Sequence, residues 1–139
     1  MADELCLIRG GGDLATGVAW RLSRAGLPVV VTELAEPLTV RRTVALSTAV
    51  AEGTVDVEGM VGRLARRPEE AVHIAFGGDV GVLVSRDLPD VGADVVVDAR
   101  LAKRNLDTTI DDARLVVALG PGFTAGVDCH AVVELSLIH

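Results

Sequence analysis

The chain has no tyrosine, two phenylalanines and one tryptophan in 139 residues. An aromatic core is therefore excluded, although half the residues are hydrophobic. The interior must be built from Val, Leu, Ala and Ile, which suits parallel strands covered on both faces. No apolar run approaches the roughly 20 residues a membrane-spanning helix needs. The first residues lack the charged-then-apolar order of a signal peptide. Basic charge is scarce: 13 Lys and Arg stand against 20 Asp and Glu, for a formal net charge of −7. Nucleic acid is disfavoured as a partner, because backbone binding needs a basic surface. Lys103 is the sole lysine, so forked, planar arginine must do most of any anion binding. Cys6 and Cys129 form no metal-type pair, and Cys6 sits in an apolar run as a buried, inert thiol. These absences give a cytoplasmic default, with no membrane partner.

What is present is organised around Ile8-Arg9-Gly10-Gly11-Gly12-Asp13-Leu14-Ala15-Thr16-Gly17. It follows a short apolar run, Leu5 to Ile8, read as a buried strand. It opens an apolar-periodic run, Leu14 to Ala25, read as an amphipathic helix on the sheet with Leu14, Val18 and Leu22 on one stripe and Ala15, Ala19 and Ala25 beside it. Gly10, Gly12 and Ala15 fit G-x-G-x-x-G/A. That loop needs glycine for a tight turn and for close approach to a pyrophosphate, and a small third residue for helix–strand packing. The helix N-terminus then offers free N–H groups and partial positive charge. A second strand, Val29 to Thr32, leads to Glu33, about twenty residues beyond the loop, where a dinucleotide fold places the acid that accepts from ribose hydroxyls. The alternative is that the glycines make only a turn and Glu33 only ends a strand.

The remaining chain continues the alternation. Leu38 to Ala51 is expected to be helical and to stop at Gly53, with Arg41 and Arg42 either contacting a phosphate or forming a solvated helix start. Thr54–Val57 and Met60–Leu64 alternate around Glu58-Gly59 as a hairpin. Pro68 to Phe76 has a helix's first-turn chemistry and stops at Gly77-Gly78; His73 within it is a packing or surface residue. Val80–Val84, Asp94–Val97 and Leu115–Leu119 are further strands. Arg100, Lys103 and Arg104 follow a strand end and can reach an anionic ligand; Asp111 and Asp112 read as a solvated turn before a metal site. Gly120-Pro121-Gly122-Phe123-Thr124-Ala125 repeats the glycine pattern and is expected to open a helix, Asp128 to Glu134. Cys129 in its first turn would then have a lowered thiol pKa, or be an incidental small residue. The fold class is thus α/β: a Rossmann-like, mostly parallel sheet with helices on both faces and a small β-hairpin insertion, in one domain over residues 1–134. The expected cofactor-binding set is Gly10, Gly12, Asp13 and Ala15, then Glu33, Arg41 and Arg42, then Gly120, Gly122 and Phe123. No metal ligand and no catalytic residue are assigned.

Several stretches together resemble the selenium-dependent molybdenum hydroxylase system proteins, the YqeB-like family, related to accessory factors of xanthine dehydrogenase. They are Ile8 to Gly17 with Arg21-Leu22, Arg41-Arg42-Thr43-Val44, Val97-Asp98-Ala99-Arg100 with Ala102-Lys103 and Asn105, Thr108 to Ala113, and Leu119 to Val127. The resemblance implies a Rossmann-like fold and an accessory role in maturing molybdenum hydroxylases, with a molybdenum hydroxylase as partner. It brings no established reaction. The family continues past Glu134 into a Thr-x-Arg-Gly-His type segment, whereas here Leu135-Ser136-Leu137-Ile138-His139 follows. The expectation is a C-terminally truncated fragment whose residues 135–139 are a non-native tail. Candidate ligands are NAD(P), another nucleotide or the molybdenum cofactor, each carrying phosphate. An NAD(P)-dependent oxidoreductase is the first alternative, weakened by the missing tyrosine and the lone lysine. A non-catalytic α/β scaffold is the second.

Overall fold

The computed structural model describes residues 4–36 and 44–134. Arg41, Arg42 and the expected tail at 135–139 lie outside the described residues. Eight strands form one sheet in the order β3-β4-β5-β2-β1-β6-β7-β8. They are β1 (Cys6–Arg9), β2 (Val29–Glu33), β3 (Thr54–Val57), β4 (Met60–Ala65), β5 (Val80–Val84), β6 (Val95–Asp98), β7 (Leu115–Leu119) and β8 (Ala131–Val133). All neighbours pair in parallel except β3 and β4, the antiparallel hairpin around Glu58-Gly59. Among the described residues three helices cover it: α1 (Asp13–Arg24), α2 (Thr48–Glu52) and α3 (Pro68–Phe76).

The alternation along β1 assigns the faces. Cys6 and Ile8 pack with Ala15, Ala19 and Ala49, from α1 and α2, in one core layer. Leu5 and Leu7 pack with Ala71 and Ala75 of α3 in the other. Central strands buried on both sides read as unbroken apolar runs, which is why Val29-Val30-Val31 has no polar face. The buried stripe of α1 is Ala15, Thr16 and Ala19. Leu14, expected on the apolar stripe with Val18 and Leu22, is exposed. Small residues let the helix axis approach the sheet, and Val18 and Leu22 flank the contact.

Two expected helices differ. Of Leu38–Ala51, residues 44–47 form no helix, and α2 spans only Thr48–Glu52 before Gly53, whose φ of 87° ends it. Asp128 to Glu134 is not helical at all: Ala131–Val133 is a strand paired with β7. A turn at residues 124–128, closed by Asp128 Oδ2 accepting from the Thr124 N–H at 3.0 Å, precedes it. β-Branched Val132 and Val133 then favour the sheet edge over a helix too short to nucleate.

The chain steps from β1 to β2, passes to the far edge at β3, works back through β4 to β5 beside β2, and then crosses to β1's other side at β6. The carboxyl ends of β1 and β6 therefore flank a topological switch point, where open α/β sheets present a ligand crevice.

Candidate functional site at the switch point

The first glycine loop leaves β1 at this edge. Gly10 has a φ of 104°, and a Cβ there would stand 2.9 Å from the Ala99 carbonyl oxygen after β6. Glycine is required at that position on both counts. Gly12 differs: its φ is −77° at the N-cap of α1, and a Cβ would meet nothing within 4 Å. The space above the helix N-terminus is therefore open, and Asp13 stands in its first turn. Ala15 is buried against the sheet as the third position requires.

Glu33 points back at this loop. Its Oε1 accepts from the Gly11 N–H at 2.9 Å and its Oε2 from the Leu34 N–H at 2.7 Å. A carboxylate has about four acceptor sites, so capacity remains for other donors. Segment 44–47 is stitched to the same loop. The Ser47 N–H donates to Gly11 O at 2.8 Å, and the Leu46 N–H to Thr16 Oγ1 at 3.0 Å. Beyond Glu33, Leu34, Ala35, Glu36, Val84 and Arg86 line an open hollow of about 410 Å³ at the carboxyl ends of β2 and β5.

The other wall carries a charge network that the sequence did not reveal. Arg9, expected in the loop, is the last residue of β1 and is buried. It stands opposite Asp98 of β6 in register, on the α3 side of the sheet, two positions after Leu7. Its Nη1 donates to Asp107 Oδ1 at 2.8 Å and its Nη2 to Oδ2 at 3.2 Å, with Arg86 O at 3.1 Å from Nη2. Arg100 donates from Nε and Nη2 to Asp98 at 3.0 and 2.7 Å, and from Nη2 to Asp107 Oδ1 at 2.8 Å. The Thr108 hydroxyl donates to Asp98 Oδ2 at 2.7 Å, while Asn105 brackets Thr108 with two 2.8 Å bonds to its backbone. Burial pushes the Asp98 carboxyl up, but the bonds from Arg100 and Thr108 and the Arg100 charge outweigh it and hold the group below its ordinary 3.8. Asp107 is likewise lowered, the bonds from Arg9 and Arg100 outweighing its burial. Arginines paired this way were legible only as strand-end residues; the signal for Arg9 was its parity with Leu5 and Leu7.

The second glycine loop belongs to packing. Gly120 and Gly122 have φ of 92° and 96°, and a Cβ on Gly122 would strike the Arg104 backbone. Phe123 is half-buried against Val116, Ala118 and Cys129. No helix follows, so the loop has no helix N-terminus to offer an anion. Cys129 is buried, and its thiol is raised by burial and then by the Asp128 charge, the reverse of activation. The structure thus brings together Gly10, Gly12, Asp13, Ala15 and Glu33; Gly120, Gly122 and Phe123 stand apart beyond β6. Asp112 bonds Thr109 within a turn. Among the described residues no helix is long and apolar enough to cross a membrane.

No family model and no solved structure matches the chain. It is similar to a curated protein of Escherichia coli (strain K12), "Uncharacterized protein YqeB", at 46% identity over 139 residues. The match covers 98% of this chain and 26% of the relative, so the chain spans about a quarter of that protein's length. A YqeB-like family fits the chain.

Proposed function

We propose that the chain is a phosphate-ester-binding unit of an accessory protein that serves selenium-dependent molybdenum hydroxylases, taking a nucleotide or a pterin-phosphate ligand over the first glycine loop. One observation carries the ligand half of this reading. The open space at Gly12, over the N-terminus of a 12-residue helix, lies beside the switch point between β1 and β6. The positive end of the helix dipole favours phosphate there. The spare acceptor sites of Glu33 face ribose hydroxyls in this reading, and the hollow bounded by Leu34 and Val84 takes the base. The molybdenum half rests on the resemblance of the glycine-loop, Asp98–Asn105 and Thr108–Ala113 stretches. The donors at the crevice suit the phosphate of a pterin cofactor and not its metal: among the described residues no group of three His, Cys, Asp or Glu is placed to hold one. A molybdenum cofactor would be cargo held by its phosphate in the open space at Gly12; its redox chemistry would serve the recipient enzyme.

A second reading has its own observation. Glu33 already ties the loop to β2, and every arginine of the Arg9–Arg100 network is paired, as in a scaffold whose loops are only turns. Calorimetric titration of the purified protein with ATP, NAD, NADP and molybdopterin nucleotides separates the two. One ligand should bind in a 1:1 ratio and lose its site in folded Gly12→Val; no heat from any of them would leave the scaffold.

A further inference from the structure

Arg9 is the largest fully buried side chain among the described residues. Its fork is filled by a single carboxylate, Asp107, which Arg100 also holds. The partners are unequal. The Arg9 side chain is 2% exposed and that of Arg100 19%, whereas Asp107 is 46% exposed. Asp98, the other carboxylate, is fixed in β6 and buried. Asp107 hangs on a segment without helix or strand between β6 and β7. In that segment Leu101 and Lys103 have φ of 55° and 68°, a left-handed conformation that side-chain-bearing residues rarely adopt. Asp107 is therefore the one carboxylate that can leave the network without disturbing the sheet.

We propose that Arg9 and Arg100 form a receptor for a phosphate group, that Asp107 occupies it in the resting chain, and that the ligand enters by displacing Asp107 and loosening residues 101–108. With Asp107 withdrawn, two guanidiniums face one carboxylate, leaving net positive charge at a partly buried site. The Nε–Nη2 edge of Arg100 stays on Asp98, so the vacated position is the Arg9 fork together with Arg100 Nη2, and it needs an anion with oxygens for both. A phosphate presents three, and charge-assisted bidentate bonds to arginine are the strong ones. The position is on the α3 side of β1, while Gly12 opens on the α1 side. It is a second anion position, independent of whether the glycine loop binds a nucleotide.

The test is calorimetry with inorganic phosphate and with AMP at constant ionic strength, chloride serving as control. Asp107→Ala should bind phosphate at least tenfold tighter than the parent, and adding Arg9→Met should remove the gain. AMP binding that follows the same pattern assigns the site to esters; phosphate alone assigns it to the free ion. Asp107→Asn keeps the shape and drops the charge, so it should show the same direction if Asp107→Ala folds poorly. In the parent, phosphate and not chloride should speed amide exchange across residues 101–108. Repeated in the Gly12→Val background, where the glycine loop no longer contributes, the tenfold gain from Asp107→Ala should persist, which separates the idea from the nucleotide reading. Variants that bind no tighter than the parent, a gain that survives Arg9→Met, or parent exchange indifferent to phosphate would each overturn it.

Discussion

Gly11 and Glu33 are joined across 22 residues of chain by a hydrogen bond of 2.9 Å, the loop N–H donating to the carboxylate of the next strand. The acid that a dinucleotide-type pattern places at the end of β2 thus also sets the shape of the loop after β1. Glu33→Gln exchanges two charge-accepted bonds for one neutral one and sets an amide N–H₂ against a backbone donor. It should cost about 1–2 kcal/mol of stability, since bonds to charged groups are worth roughly 1.5–3 kcal/mol, measured by urea unfolding. In the nucleotide reading it also weakens an adenosine-type ligand more than its 2′-phosphorylated form. An unchanged ratio of the two affinities would put Glu33 outside the ribose site.

Gly10 and Gly12 should behave oppositely. Gly10→Ala forces a Cβ into a φ of 104° and against the Ala99 carbonyl oxygen, and should cost about 2 kcal/mol or more. Gly12→Val meets neither obstacle and loses only a favoured cap, about 0.5–1 kcal/mol. Its effect should fall on ligand affinity. Thermal melts alongside titration distinguish the two; equal destabilisation would contradict the assignment.

Asp98 supplies a pH signature. Its folded pKa lies below the ordinary 3.8, as does that of Asp107. Their contribution is complete above about pH 5 and is lost as pH falls through the lower folded values. Asp98→Asn leaves Arg100 without its buried partner and should cost about 3 kcal/mol at neutral pH. The gap between parent and variant should narrow below about pH 4. Urea unfolding at several pH values reads it; a gap constant to acid pH would show that the charge is immaterial.

The two thiols should be inert. Cys6 is pushed up to about 11 by burial and then by the Glu4 and Asp94 charges, and Cys129 is raised too. Iodoacetamide at pH 8 should leave both intact in folded protein and label both in urea, as mass spectrometry will record. Rapid labelling of Cys129 in the fold would restore the reactive-thiol idea.

The central strands, the hairpin and α3 were legible because one local signal dominated each: unbroken Val runs, alternation around Glu58-Gly59, and Pro68 with two acids after it. Where two signals competed, the tertiary context decided. Asp128 to Glu134 had a plausible helix start, yet β7 offered an open edge to Val132 and Val133. Both glycine loops looked alike, but only the first precedes a helix; the second bends because Arg104 lies against Gly122. Glu33 and the first loop were visible by spacing. The Arg9–Asp107 pair was not, since 98 residues separate its members and no periodicity spans that distance.

The same pair bears on synthesis. β1 and β2 can pair early, but β1's other neighbour, β6, begins only at Val95. At about 5–20 residues per second, the interval after Glu33 has been made is about 3–12 s. Through that wait a nascent chain carries an apolar strand with an open edge, the form most prone to mispairing. Arg9 stands at its end as an unneutralised charge until Asp107 arrives, and so acts as a gatekeeper against wrong association.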